Sequence, residues 1–174
     1  VKAAGHDEMP LHGWTPVTVP GIPAAWAELS KQYGKLDFAT LLAPAIRIAR
    51  EGSPVSPVIS QLWQRAEVEF RAKASDPAIA TWLEAFAPEG HAPRPGELHR
   101  NEAQARTLEA LAESRCESFY RGELAQKIDA FSQATGGYLR ADDLADYRPE
   151  WVEPISVNYR GYDVWEIPPN GQGM

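Results

Sequence analysis

The sequence has one cysteine, Cys116, in 174 residues, so neither an internal disulfide framework nor a multi-cysteine zinc site can be built from it. No apolar run approaches the roughly 20 residues that a membrane helix needs. Val1 to Pro10 lack the charged start and apolar stretch of a secretory leader, so this stretch carries no visible address. Basic clusters are missing too. The 17 Lys and Arg are scattered among 24 Asp and Glu, the formal charge is -7, and a nucleic-acid or anionic-membrane surface is not expected. There is no Gly-x-Ser-x-Gly nucleophile elbow, no Gly-x-x-x-x-Gly-Lys phosphate loop, no internal repeat and no low-complexity tract. What remains is a chain with 44% hydrophobic residues, enough for one ordinary core, whose expected partner is a small molecule or another protein surface.

Local patterns divide the chain into helices with little strand. Thr15 to Pro20, β-branched residues between prolines, predicts a short strand that turns at Gly21. A helix follows from Pro23, with Ala25, Trp26, Leu29 and Tyr33 at helical spacing and Gly34 in the place of a left-handed C-cap. Asp37 is expected to cap a short helix through Leu42. Pro44 then starts a second one, with Ala45, Ile46, Ile48 and Ala49 facing a core before Gly52 closes it.

Ser56 to Phe86 again reads as helical. Ile59, Leu62, Trp63 and Ala66 recur in three-four spacing, a break falls at Asp76-Pro77, and Trp63 and Trp82 are the expected core anchors. Ala87 to Glu97, with three prolines and two glycines, predicts a crossing loop. Asn101 and Gln104 make a capping pair ahead of Leu108, Leu111 and Ala112. Leu124, Ile128 and Phe131 share the face of a helix that ends at Gly136-Gly137. Ala141 to Tyr147 is a last short helix, and Ile155 to Tyr159 with Tyr162 to Ile167 form a hairpin about Arg160-Gly161. The expected organisation is one partial domain over 1–174, with strand and helices at about 15–147 and the hairpin at about 155–167. So little sheet needs strands from elsewhere to be stable.

Candidate chemistry is sparse. His6, His12, His91 and His99 lie outside the expected elements and share no metal-ligand spacing, so they read as loop histidines. Asp142 and Asp143 are adjacent on a helix and point apart, which disfavours a carboxylate dyad and favours capping. Cys116 reads as a packing residue. No catalytic, substrate-binding, cofactor or metal residue is assigned, and no cofactor is expected. The lack of an initiator methionine at Val1, and a glycine-rich end at Gly171-Gln172-Gly173-Met174 that calls for a following element, lead us to expect a piece of a longer polypeptide.

An ordered series of motifs resembles the gamma-glutamyltransferase (gamma-glutamyl transpeptidase) family. It runs from Val19-Pro20-Gly21-Ile22-Pro23-Ala24-Ala25-Trp26 and Tyr33-Gly34-Lys35-Leu36 to Leu41-Leu42-Ala43-Pro44-Ala45-Ile46 and Ala49-Arg50-Glu51-Gly52. It continues through Phe119-Tyr120-Arg121-Gly122, Gly136-Gly137, Asp142-Asp143-Leu144-Ala145 and Pro154-Ile155-Ser156 to Tyr159-Arg160-Gly161-Tyr162 and Pro168-Pro169. Each piece reads as scaffold: Pro20-Gly21 as a sharp exit, Gly122 as relief of crowding, Arg160-Gly161 as a hairpin tip. Two places depart from the family's pattern. Arg140 stands where the family more often has a capping threonine, and Asn170-Gly171-Gln172-Gly173 where serine or alanine and paired glycines are frequent.

The resemblance implies an α+β, predominantly helical fragment of an N-terminal-nucleophile hydrolase (αββα) fold that absent chain completes, matching the middle of the large subunit. In that family a precursor cuts itself, and the threonine exposed at the head of the small subunit attacks a gamma-glutamyl amide to form an acyl-enzyme. That nucleophile belongs downstream of Met174 and the arginine for the substrate's α-carboxylate upstream of Val1, so neither Arg47 nor Arg50 inherits a role. The implied partners are the rest of the precursor, above all the small subunit, and a glutathione-like gamma-glutamyl amide. Two alternatives stay open: a related acylase acting on amides such as cephalosporin side chains, and a non-catalytic helical interaction module.

Overall fold

The computed structural model describes residues 1–2 and 5–171; Gln172-Gly173-Met174 lie outside them. Eight helices and two small antiparallel strand pairs are present among the described residues. The helices are α1 (Ile22–Tyr33), α2 (Phe38–Glu51), α3 (Pro57–Ala72), α4 (Pro77–Phe86), α5 (Glu102–Ser114), α6 (Glu117–Arg121), α7 (Glu123–Ala134) and α8 (Ala141–Asp146). The strands are β1 (Ser53–Pro54) paired with β2 (Leu98–His99), and β3 (Ile155–Tyr159) paired with β4 (Tyr162–Glu166). The chain is α+β and predominantly helical.

Half of the helix starts are where an N-cap side chain takes an orphan amide. Asp37 accepts from the Thr40 amide at 3.0 Å, Ser56 from Ile59 at 3.3 Å, Asp76 from Ala78 at 2.9 Å and Asn101 from Gln104 at 2.9 Å. The Asp76-Pro77 break therefore falls where the pattern places it. α2 differs from expectation. Pro44 lies inside one 14-residue helix instead of starting a second. The missing N–H at Pro44 costs one rung, while Ile46 and Leu42 on the same helix pack against the cluster of Phe38, Leu108, Leu111 and Cys116. Packing on α5 outweighs the break.

Three further expectations change. Thr15 to Pro20 forms no strand, because Val17 turns back to donate to the Trp14 carbonyl at 3.0 Å, and Pro16 and Pro20 have no amide to pair. Gly34 ends α1 in an extended conformation (φ -67°, ψ 138°) rather than a left-handed one. Ile59 and Leu62 of α3, and Ala45 and Ile48 of α2, are exposed, whereas Trp63, Ala66 and Trp82 are half-buried. The anchoring of α3 on α4 is aromatic: Phe70 stacks on Trp82 with centroids 4.6 Å apart, and Trp63 meets Phe86 edge-on at 6.0 Å.

The crossing segment after α4 is held by side chains of α3. Glu67 accepts from the Ala92 amide at 2.6 Å, Arg71 donates to the Gly90 carbonyl at 3.0 Å, and buried Ser60 donates to the Pro93 carbonyl at 2.7 Å. A second core cluster joins Tyr120, Ala125, Leu139 and Leu144, with Trp14, Val19 and Tyr147 against it. It ties the N-terminal segment to α6, α7 and α8. The β3–β4 hairpin turns at Arg160 (φ 52°) and Gly161 (φ 86°), two successive left-handed residues as a tight hairpin turn of this hand demands. β3 is exposed at all five positions and β4 at four of its five.

Candidate functional site

The residues singled out in the sequence are scattered over the fold. His12 meets Glu69 at 2.7 Å and the Phe70 ring edge-on. His91 meets the Ala92 carbonyl at 2.8 Å, His99 packs 4.7 Å from the Trp63 ring, and His6 is exposed in an irregular segment. Burial holds the His99 imidazole below its usual range, which favours the neutral ring. Among the described residues no three His, Cys, Asp or Glu side chains are grouped so as to hold a metal ion, and no helix is long and apolar enough to cross a membrane.

Asp143 caps α8 by accepting the Arg140 amide at 2.8 Å, while Asp142 is exposed. Arg50 reaches two carboxylates across the α2–α5 contact, Glu102 at 3.2 Å and Glu109 at 2.9 Å, which hold its guanidinium firmly charged. That brace is structural. Arg47 makes only an exposed pair with Glu51 at 3.8 Å. Cys116 is 1% exposed inside the α2–α5 cluster, and burial pushes its thiol up to about 11, so the protonated form prevails at neutral pH.

Sequence reading missed two polar junctions. The Tyr120 hydroxyl donates to the Pro20 carbonyl at 2.7 Å and accepts the Ala24 amide at 3.1 Å. Gly21 between them is crowded, since any Cβ there would meet the Tyr147 hydroxyl. Arg140 was expected to be a defective cap. Its Nη1 instead reaches the Ser132 hydroxyl at 3.1 Å and the Gly137 and Leu139 carbonyls at 2.9 Å each, binding the end of α7 to the start of α8. A long donor in a capping position was the available signal.

The feature that faces outward for a purpose is apolar. Along α1, Ile22, Trp26, Leu29 and Tyr33 recur every three or four residues and are 63%, 43%, 49% and 65% exposed. Trp151, which leads toward the hairpin, joins this stripe: its ring meets Tyr33 edge-on at 5.7 Å and its indole N–H donates to Glu28 at 3.3 Å. Val157, Val164 and Trp165 on the hairpin are exposed as well. An uncovered apolar stripe of this kind is the type of surface on which other protein packs.

The family model described as gamma-glutamyltranspeptidase matches residues 1–174. The chain is 38% identical over 171 residues to the glutathione hydrolase-like YwrD proenzyme of Bacillus subtilis, covering 98% of the chain and 31% of that protein. It is 33% identical over 163 residues to the acylase ACY 1 proenzyme of Pseudomonas sp. strain V22, covering 94% of the chain and 28% of that protein. The crystal structure of cephalosporin acylase from Bacillus halodurans superposes with a TM-score of 0.94 at 57% identity, over 99% of this chain and 32% of that one. The chain thus spans about a third of the length of each of these relatives.

Proposed function

The chain belongs to the gamma-glutamyltranspeptidase family, and from that premise we propose that it is the middle part of the large subunit of an N-terminal-nucleophile amidohydrolase, serving as packing and one wall of the enzyme. The observation that carries this reading is the uncovered apolar stripe of α1, together with a hairpin whose strands are exposed on both faces. A two-stranded hairpin is marginal in water by itself, and its free edges fit further strands of the same precursor. The parent's chemistry is hydrolysis or transfer of a gamma-glutamyl group from a glutathione-like amide. A threonine hydroxyl outside these residues attacks the amide carbonyl, the amine leaves with a proton, and water or an acceptor amine resolves the ester. This chain supplies no group to those steps.

A second reading is an acylase acting on other amides, supported by the 57% identity to the Bacillus halodurans protein named cephalosporin acylase. The scaffold residues do not discriminate between the two. The test is to express the whole reading frame and the 174-residue chain separately, and to assay both against a gamma-glutamyl anilide and a cephalosporin amide. The whole product is expected to cleave one of them and the 174-residue chain neither. Hydrolysis by the 174-residue chain alone would overturn the reading. Cleavage of the cephalosporin amide only would select the acylase. A non-catalytic interaction module predicts no cleavage by either product.

A further inference from the structure

A cleft of about 420 Å³ opens between α1, the α5–α6 junction and the segment after α8. Three arginines line it from three different places in the chain: Arg115, Arg121 and Arg148. Its two carboxylates already have partners. Glu117 takes Arg121 at 2.7 Å, and Glu28 takes Lys31 at 3.7 Å and the Trp151 indole at 3.3 Å. Arg148 is anchored through Nη1 on the Ala145 and Tyr147 carbonyls, both at 2.6 Å, which are neutral groups. The Arg115 guanidinium lies 5.6 Å over the Phe38 ring and makes no hydrogen bond among the described residues. Arg115 and Arg148 therefore have no direct carboxylate partner, and the lining carries three positive against two negative side chains in a protein whose formal charge is -7.

The backbone at this rim is strained as well. Arg115 (φ 49°) and Cys116 (φ 69°) are consecutive left-handed residues with side chains, a conformation that glycine adopts freely and that strains other residues. Cys116 fills the core beneath, so its identity has a packing reason. Arg115 covers the Phe38 ring but stays exposed, and it lines the cleft. A strained non-glycine residue presenting an unpaired guanidinium is the pattern of a binding position. The Tyr147 ring, stacked on Tyr120 with centroids 5.5 Å apart, lines the same cleft and gives it a flat wall.

We propose that this cleft binds a small multivalent oxyanion, a di- or tricarboxylate or a phosphate, between the guanidinium groups of Arg115 and Arg148. Planar guanidinium forks match carboxylate and phosphate oxygens in pairs, and two free forks match two negative charges. The same chemistry can come from a free metabolite or from an acidic segment of the same polypeptide, and the site is assigned to the free anion.

The test is calorimetric titration of the full-length product of the reading frame with citrate and with inorganic phosphate, at constant ionic strength and with chloride as control. Saturable binding of citrate is expected, weakened about tenfold by Arg115→Gln and by Arg148→Gln and unchanged by Arg65→Gln, an exposed arginine outside the cleft. Arg115→Gly separates binding from folding: it relieves the left-handed strain, so the protein is expected to melt no lower than wild type while losing citrate affinity. Lack of saturation above the chloride control would overturn the proposal. So would equal affinity in the Arg115→Gly Arg148→Gln double variant, or loss of binding only where the variant also melts early. No citrate binding by wild type, with Arg148→Gln lowering the melting temperature, would assign the arginines to an internal acidic segment instead.

Discussion

The hydroxyl of Tyr120 donates to the carbonyl of Pro20 at 2.7 Å, closing a contact between residues 100 positions apart. The same oxygen accepts the Ala24 amide, which stands third in α1. No local group can serve that amide, because Gly21 at the N-cap has no side chain. A tyrosine from α6 thus acts as the cap of α1, and it brings the N-terminal segment, α1 and α6 into one unit. Tyr120 is 3% exposed, so the junction is largely covered.

Tyr120→Phe keeps the ring and removes both bonds, leaving a carbonyl and an amide without their partner. A loss of about 1–3 kcal/mol is expected in urea-induced unfolding of the full-length product. A change below about 0.5 kcal/mol would mean that water replaces the hydroxyl.

Arg140 invites the opposite experiment, since restoring a capping threonine looks like an improvement. A threonine there gains an N-cap bond worth about 1 kcal/mol. It loses the Nη1 contacts to Ser132, Gly137 and Leu139, of which Ser132 is fully buried. Arg140→Thr is therefore expected to be net destabilising by about 1 kcal/mol, and Arg140→Ala by more, in the same unfolding measurement. A more stable Arg140→Thr would show that the cap outweighs the junction.

Cys116 gives a pH prediction. Its thiol ionises near 9.0 when free and near 11 in the fold, because burial disfavours the thiolate. The raised value means that the group's stabilisation is complete below pH 9 and is lost as the pH climbs toward 11. Unfolding followed from pH 7 to 11 should show stability falling over that upper interval, and Cys116→Ser, with no group titrating there, should fall less. Alkylation at pH 8 is expected to be on the order of a hundredfold slower in the native protein than in urea.

The helices were legible in the sequence because their signals are local: the caps at Asp37 and Asn101, the helix start at Ser56, the break at Asp76-Pro77 and the Arg160-Gly161 turn all fell where composition put them. What failed was tertiary. Pro44 stays within α2 because the α2–α5 cluster holds both sides of it. Thr15 to Pro20 has the composition of a strand and no neighbour to pair with. Ile59 and Leu62 have helical spacing and yet face outward, since periodicity identifies a face but not what covers it. The junctions at Tyr120 and Arg140 rest on contacts to backbone, which leave little trace in residue type.

The α1 stripe is where the reading of this chain as part of a larger enzyme is most exposed to test. Trp26 and Leu29 leave 43% and 49% of their surface uncovered on α1 among the described residues, so charge there costs the 174-residue chain only what their buried halves contribute. Trp26→Glu with Leu29→Glu is expected to cost it about 2–4 kcal/mol, from the buried half of each side chain, and to reduce its binding of an apolar dye. In the full-length product the same pair would place two carboxylates in a packed interface, at several kcal/mol each if they stay charged. Misassembly and loss of amide hydrolysis are then expected, read as missing activity and early-eluting aggregate on gel filtration. Unaltered hydrolysis by the full-length double variant would mean that the stripe faces solvent in the parent, and the packing role assigned to this chain would have to move elsewhere on its surface.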